Sequence, residues 1–416
     1  MAKSKLGSAI GKIAIVLAVL AGIFGFASYA SYETFQQRIA KLKETGDLIP
    51  LDGMVRNVED PQQDALTFLR DVFPISKALS PLIPRGRFGY IKTDPASIAH
   101  YEKSVAPYPH LFADIALAAD APEMSFGFDA EQTLNFSILE LQTIAHVLDW
   151  RGHILLAQGD HAGAAQVGLD ILRLGKLFDQ PLLLSALLSR MFRFTAYQLI
   201  YESVSRGELE GELVEKIVHQ IDQSEHDFVY ENALKAELAT SLYFGVNWKW
   251  QHDGPSSPEN WFADSFAIYP GAFWGNWFLD QMDLALARSR MPLIVQFPET
   301  DKSNWLGEKL FGSDLTVTFN HLRNMFGNVR VRSQALRIVL ALSADPSAAD
   351  RDAWPVEFLN EIGISNDIAT DPYCDKPLII RRERERWIVY SVGPDQLDDN
   401  GRRDSDDIGF LVATDE

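Results

Sequence analysis

Between Asp395 and Asp407, six of thirteen residues are aspartate: Asp395, Asp398, Asp399, Asp404, Asp406 and Asp407. Carboxylates this crowded repel one another unless a cation, backbone donors or water offset the charge. Hard divalent cations take roughly six to eight oxygens from such side chains and from turn carbonyls, and calcium tolerates irregular geometry best. The six aspartates are therefore candidate calcium ligands, about four or five of which can serve one ion. Two histidine triads offer a second chemistry. His146, Asp149 and His153 stand at i, i+3 and i+7, and so do His219, Asp222 and His226. On an α-helix those offsets share one face, where imidazole and carboxylate ligands suit zinc or a similar transition metal. A solvated polar face is the plain alternative. The chain has no Gly-rich phosphate loop, no Gly-x-Ser-x-Gly and no His-Glu-x-x-His. Its single cysteine, Cys374, excludes an intramolecular disulfide and has no neighbouring histidine to activate it. No catalytic residue is assigned from these patterns, and no catalytic activity is inferred.

The elements that must position these residues are mostly helical. Ile138, Leu141, Ile144, Ala145, Leu148, Ile154, Leu155 and Leu156 recur at helical spacing up to Gly159-Asp160. A second run holds Ala164, Ala165, Val167, Leu169, Ile171, Leu172 and Leu174, and Pro181 opens a third from Leu182 to Tyr201. Further helices are predicted over Tyr32–Lys43, ended by Gly46, and over Leu209–His226, Phe228–Trp250, Trp274–Arg290 and Thr316–Leu342. Pro50–Pro109 reads as a connecting, packed-loop region with one short helix around Gln62–Val72. Twelve of the thirty-six residues from Tyr243 to Phe278 are aromatic, among them Trp248, Trp250, Trp261, Trp274 and Trp277. Such a stretch serves as core under a long loop, as a membrane or partner surface, or as a carbohydrate platform.

The first residues set the expected location. Lys3, Lys5 and Lys12 precede an uncharged run from Ile13 to Tyr32. Twenty residues span about 30 Å as a helix, the thickness of a bilayer's hydrocarbon core, with Tyr29 and Tyr32 at the interface. A cleavable signal peptide with Ser28 and Ala30 as its small-residue pair is the alternative. Lys/Arg residues are about equal on the two sides of the run, since Arg38, Lys41 and Lys43 follow it, and a long body translocates largely regardless of them. The expectation is a single-pass protein of a bacterial inner membrane, its body on the extracytoplasmic side. Lys plus Arg number 38 against 57 Asp plus Glu, a net charge of −19, which repels phosphate backbones and argues against a nucleic-acid partner.

The last forty residues carry the most specific pattern. Lys376–Ile380 and Trp387–Gly393 are β-prone runs joined by the charged turn Arg382–Arg386, a hairpin leading into the acidic loop. An EF-hand register places Asp398, Asn400, Gly401, Asp404 and Asp407 at loop positions 3, 5, 6, 9 and 12 but puts Gln396 at position 1. Asp371-Pro372, Tyr390-Ser391-Val392-Gly393-Pro394-Asp395 and Asp406-Asp407-Ile408 instead resemble the tail of type II secretion major pseudopilins. That resemblance implies a structural calcium held by the loop. It covers about a tenth of the chain, and the Gly-Phe-x-x-x-Glu processing site of pseudopilins is missing, with Lys12 directly before the apolar run. The whole layout, including Asp352-Ala353-Trp354-Pro355-Val356-Glu357-Phe358-Leu359, resembles a group of membrane-anchored proteins of planctomycete-type bacteria that join an N-terminal span, a helical body and this tail. That likeness implies architecture and no substrate. Two further likenesses are local. Gly152, Gly159-Asp160, Ala164/Ala165 and Pro181 resemble one tetratricopeptide hairpin, against which a plain αα-hairpin competes. His226-Asp227 is the dipeptide of the HD phosphohydrolases, without the rest of that pattern.

The sequence thus predicts a mainly α protein in three parts: a cytoplasmic tail and transmembrane anchor over 1–32, a helical body with a TPR-like αα-hairpin over 33–345, and a small C-terminal β-hairpin unit with the acidic loop over 346–416. Its expected role is a membrane-anchored scaffold or protein-interaction protein with structural calcium. A metal-dependent hydrolase built on the triads and an accessory component of a secretion or pilus-like assembly are the alternatives. The expected contacts are the lipid bilayer and an unidentified protein.

Overall fold

The computed structural model describes residues 30, 33–48, 56–83, 93–125, 138–179, 183–226, 230–241, 276, 278–295, 315–345, 356–383, 385–402 and 405–411. The expected membrane span, apart from Ala30, lies outside these residues, as do Asp404, the aromatic stretch apart from Phe278, and the side chain of His226. Among the described residues no helix is long and apolar enough to cross a membrane. They form a mainly helical fold with a small three-stranded antiparallel sheet at the C-terminus.

In chain order the helices are α1 (33–45), α2 (Ala65–Leu79), α3 (Pro95–Val105), α4 (Leu111–Asp120), α5 (Ile138–Ala157), α6 (His161–Leu177), α7 (Leu183–Val204), α8 (Gly211–His226), α9 (Tyr230–Ser241), α10 (278–289), α11 (Leu315–Ala344) and α12 (Asn366–Ala369). A 3-10 turn, Val356–Ile362, precedes α12. The strands are β1 (Ile379–Glu383), β2 (Arg386–Ser391) and β3 (Ile408–Phe410). The chain divides into two compact units, one of residues 1–51, 234–288 and 302–316, the other of 52–233, 289–301 and 317–416. In the first, Arg38 of α1 forks onto Asp280 and Asp283 of α10 at 2.8 and 2.6 Å, and Lys235 pairs with Asp47 at 3.1 Å.

In the second unit α5 is the central element. It is apolar on nearly every side, and thirteen of its twenty residues are buried, so neighbours must surround it. α2, α3, α6 and α7 do so. Trp150 is fully enclosed, with Tyr101 of α3 stacked on it at 4.8 Å. α6 follows α5 as a helical hairpin, started by Asp160, whose carboxylate accepts from the Gly163 N–H at 2.8 Å. α7 seats closely on α6 because Gly168 lacks a side chain; a Cβ there would stand 2.5 Å from Ile200 Cγ1. α3 and α4 fold within and just beyond the stretch expected to be packed loop. Asp94, capping α3 through the N–H groups of Ala96 and Ser97, stands beside Pro95 at the first helical turn. α2 likewise continues past the expected Val72, through Pro74, to Leu79.

The C-terminal sheet belongs to this unit. β2 is central, pairing antiparallel with β1 (Ile380 opposite Val389) and with β3 (Val389 opposite Phe410). The expected charged turn is tighter than the sequence suggested: β1 runs on to Glu383 and β2 starts at Arg386, leaving a two-residue turn with Glu385 at φ 69°. The third strand was not anticipated, because three residues carry too short an alternation to stand out. Tyr201 of α7 holds the sheet. Its ring stacks on Phe410 at 4.2 Å and its hydroxyl donates to the Trp387 carbonyl at 3.1 Å. Tyr373 is buried against α11, its Oη 3.0 Å from the Asn324 carbonyl and 2.9 Å from Asn328 Oδ1, where Gly327 makes room. Gln334 of α11 donates to the carbonyls of Asp367 and Thr370. Replacing Phe410 with Ala should remove both the stack and a buried ring, lowering stability by about 3–5 kcal/mol in denaturant unfolding. A loss below about 1 kcal/mol would show that the sheet is not held through α7.

Candidate functional site

The acidic loop leaves β2 at Ser391 and returns at β3. Its start is fixed by a buried carboxylate upstream: Asp371 Oδ1 accepts from the Tyr373 N–H and the Ser391 hydroxyl, both at 2.8 Å, while Oδ2 accepts from the Val392 N–H at 3.1 Å. The Asp371-Pro372 element thus clamps the end of β2 and is fully occupied by protein donors. Gln396, at φ 60°, points its amide away from the loop, donating to the carbonyls of Tyr373 and Ile294 at 2.9 and 3.1 Å. The EF-hand register therefore has no first ligand.

The aspartates divide by their partners. Asp395 is exposed and turns on itself, accepting from the Leu397 N–H at 3.1 Å. Asp398 accepts from the Tyr390 hydroxyl at 3.0 Å and from the Asn400 N–H at 2.8 Å. Asp407 is buried, 5 % exposed; its Oδ2 accepts from the Gly401 N–H at 2.7 Å, and its Oδ1 has no hydrogen-bond partner among the described residues. Burial pushes the Asp407 carboxyl up; N–H groups of Gly401 and Asp399 oppose that, and the Asp398 and Asp399 charges add to it. Asp398, Asp399 and Asp407 are therefore electrostatic neighbours, while Asp406 is exposed. Burial, the nearby carboxylates and the hydrogen bond to Asp398 also raise the Tyr390 phenol, against the opposing charge of Arg381. That guanidinium lies 5.4 Å from the Tyr390 ring centre and donates to the Asn400 carbonyl, placing one protein cation on the loop.

The histidine triads separate. His153 is 3 % exposed, its Nε2 3.3 Å from Asp149 Oδ1 on the same helix and its Nδ1 3.9 Å from Glu202 Oε2 on α7. Glu202 also accepts from Gln198 and Arg206, at 3.0 and 3.1 Å. Burial alone would lower the His153 pKa, but the hydrogen bond it donates to Asp149 and the charges of Asp149 and Glu202 outweigh it and the opposing Arg206, so it is raised. His146 is half-buried, and burial lowers its pKa against the partial support of Asp149. In the second triad His219 lies 2.7 Å from the Gln223 amide, and Asp222 forms an ion pair with Arg337 of α11. Among the described residues no three His, Cys, Asp or Glu side chains converge on a position suited to a metal. The sequence reading missed Glu202; its i+4 spacing to Arg206 was visible, but nothing in the sequence brings it to His153.

The chain matches no known protein family, no curated protein and no solved structure.

His153, buried between α5 and α7 against two carboxylates, is placed to hold a proton. Its raised pKa fixes the sign of a pH effect. The stability it contributes is fully present below the unfolded value of 6.5 and is lost as pH rises through the higher folded value. The melting temperature of the native chain relative to a His153→Gln variant should therefore be highest below pH 6.5 and decline as pH rises above it. A difference that does not change with pH would show that the imidazole stays neutral in the folded protein.

Proposed function

We propose that this protein is a membrane-anchored, extracytoplasmic helical scaffold whose C-terminal β-unit is locked by a structural divalent cation, calcium fitting best. The observation that supports the cation is the Oδ1 of Asp407, buried without a partner beside the charges of Asp398 and Asp399. A buried carboxylate oxygen without a donor costs about 1–3 kcal/mol, which a hard cation recovers. Asp407 would anchor the ion with turn carbonyls; Asp398 and Asp399, whose charges act on Asp407 without converging with it on a metal position, would have to close on the ion as it binds, and Asp404 is an additional ligand suggested by the sequence alone. The ion's chemistry would be structural: it would add to the positive charge that Arg381 brings to the loop.

The scaffold reading is supported by how the tail is fastened. Tyr201, Tyr373 and Gln334 tie it to the helices of its own unit, so a cation that stiffens the loop would stiffen the surface formed by β2, β3 and α7. The membrane placement rests on the apolar run from Ile13 to Tyr32. Partners of such a protein would be other extracytoplasmic proteins. Calcium added to the detergent-solubilised full chain after chelation should raise its melting temperature by several degrees, saturating between micromolar and millimolar, as expected for about 2–3 kcal/mol of linkage. Asp407→Asn should abolish the rise. Equal melting with and without calcium would remove the cation from the proposal.

A further inference from the structure

The second unit also carries a cavity of about 390 Å³ whose lining includes Arg173, Lys176, Gln220, Asp120 and Asp179 together with the apolar Leu177 and Pro122. It is large enough for a small ligand. α4 and α6 both end there, and the carbonyls of a helix C-terminus favour cations, which accounts for Arg173 and Lys176 in the last turns of α6. What it does not account for is how the donors are used. The carboxylates are committed: Asp120 to Arg173 at 2.6 Å, and Asp179 to Ser189 and the buried Arg193. Arg56 is paired with Glu123. Lys176, by contrast, has no carboxylate within ion-pair distance among the described residues; its ammonium donates only to the neutral Gln223 amide oxygen, at 2.7 Å. Gln220 is 9 % exposed and its Nε2 has no acceptor among the described residues. An ammonium has three donors and an amide two, so both side chains hold unused donors at one cavity whose acidic groups are already engaged.

We propose that this cavity binds a small oxyanion, a carboxylate or phosphate group held by Lys176 and Gln220, with a short apolar body against Leu177 and Pro122. Arg56 and Arg173 on the rim attract the anion. A chain of net charge −19 disfavours anions elsewhere, so saturable anion binding reports a built site rather than general attraction.

The test is calorimetric titration of the full-length protein at low ionic strength with inorganic phosphate and, separately, with butyrate. At least one should bind saturably with a dissociation constant on the order of 1 mM or tighter. Binding of phosphate alone assigns a phosphate ligand, and binding of butyrate alone or of both assigns a carboxylate class. Lys176→Gln should weaken it about tenfold, the worth of one charge-assisted hydrogen bond, and Lys176→Arg should restore most of it. Gln220→Leu replaces a buried amide without a partner by an apolar group, so it should keep the melting temperature while weakening the anion. Absence of saturable heat with both probes, or unchanged affinity in folded Lys176→Gln, would overturn the assignment.

Discussion

The need to bury α5 on all sides governs the second unit. A helix without a broad polar stripe must be covered, so α2, α3, α6 and α7 close around it, and some of its polar groups are carried inside. Asp149 and His153 are the buried ionisable ones. Two isolated polar side chains at that depth would cost several kcal/mol, roughly the order of a domain's whole stability. Their contact with each other, and the approach of Glu202 from α7, offset that cost. The same constraint fixes α7, and α7 fixes the sheet, because Tyr201 is the next residue along the helix from Ile200, which occupies the space left by Gly168.

The helices packed in this unit meet through more arginine than their apolar spacing suggests. Arg193 pairs with Asp179, Arg337 with Asp222, and Arg323 donates to the carbonyls of Met291, Pro292 and Val295 at the end of a neighbouring turn. Arg332 lies 4.1 Å over the Phe194 ring. Burial holds Arg190 down to about 10, with Arg332 adding to the depression and Tyr373 opposing it. Guanidinium groups bear such positions because they are weakly hydrated, planar and rich in donors. They make poor stability devices but good register devices, since each donor set fits one arrangement of carbonyls.

Helix spacing was legible wherever apolar periodicity was sustained: α5, α6, α7, α8 and α11 lie within a few residues of their expected limits. α3 and α4 were lost among prolines and glycines, where the caps at Asp94-Pro95 mark a helix start more than a loop. The hairpin was visible from its β-branched and aromatic runs, whereas β3, three residues after a run of aspartates, was not. Of the expected site residues, Asp398 and Asp399 act electrostatically on Asp407 without converging with it on a metal position, and the second histidine triad is dispersed. Helical spacing places side chains on one face but says nothing of what another helix brings to it; Glu202 and Arg337 are the partners that decided the outcome at His153 and Asp222. The cavity was likewise invisible, because its lining comes from separate stretches of the chain.

The acidic loop shows how far protein groups alone can carry a cluster of carboxylates. Asx-type turns serve Asp395 and Asp398, each oxygen taking an N–H two residues ahead. Tyr390 adds a hydroxyl and Arg381 a positive charge. These devices serve exposed carboxylates well, since water completes the remaining lone pairs. They leave a gap at Asp407, which is buried directly ahead of β3. Its second oxygen has no partner among the described residues, a place that a proton, a water or a cation would fill. A cation bound there, as proposed, would compete with a proton for that oxygen, and the neighbouring charges of Asp398 and Asp399 would favour both alternatives together.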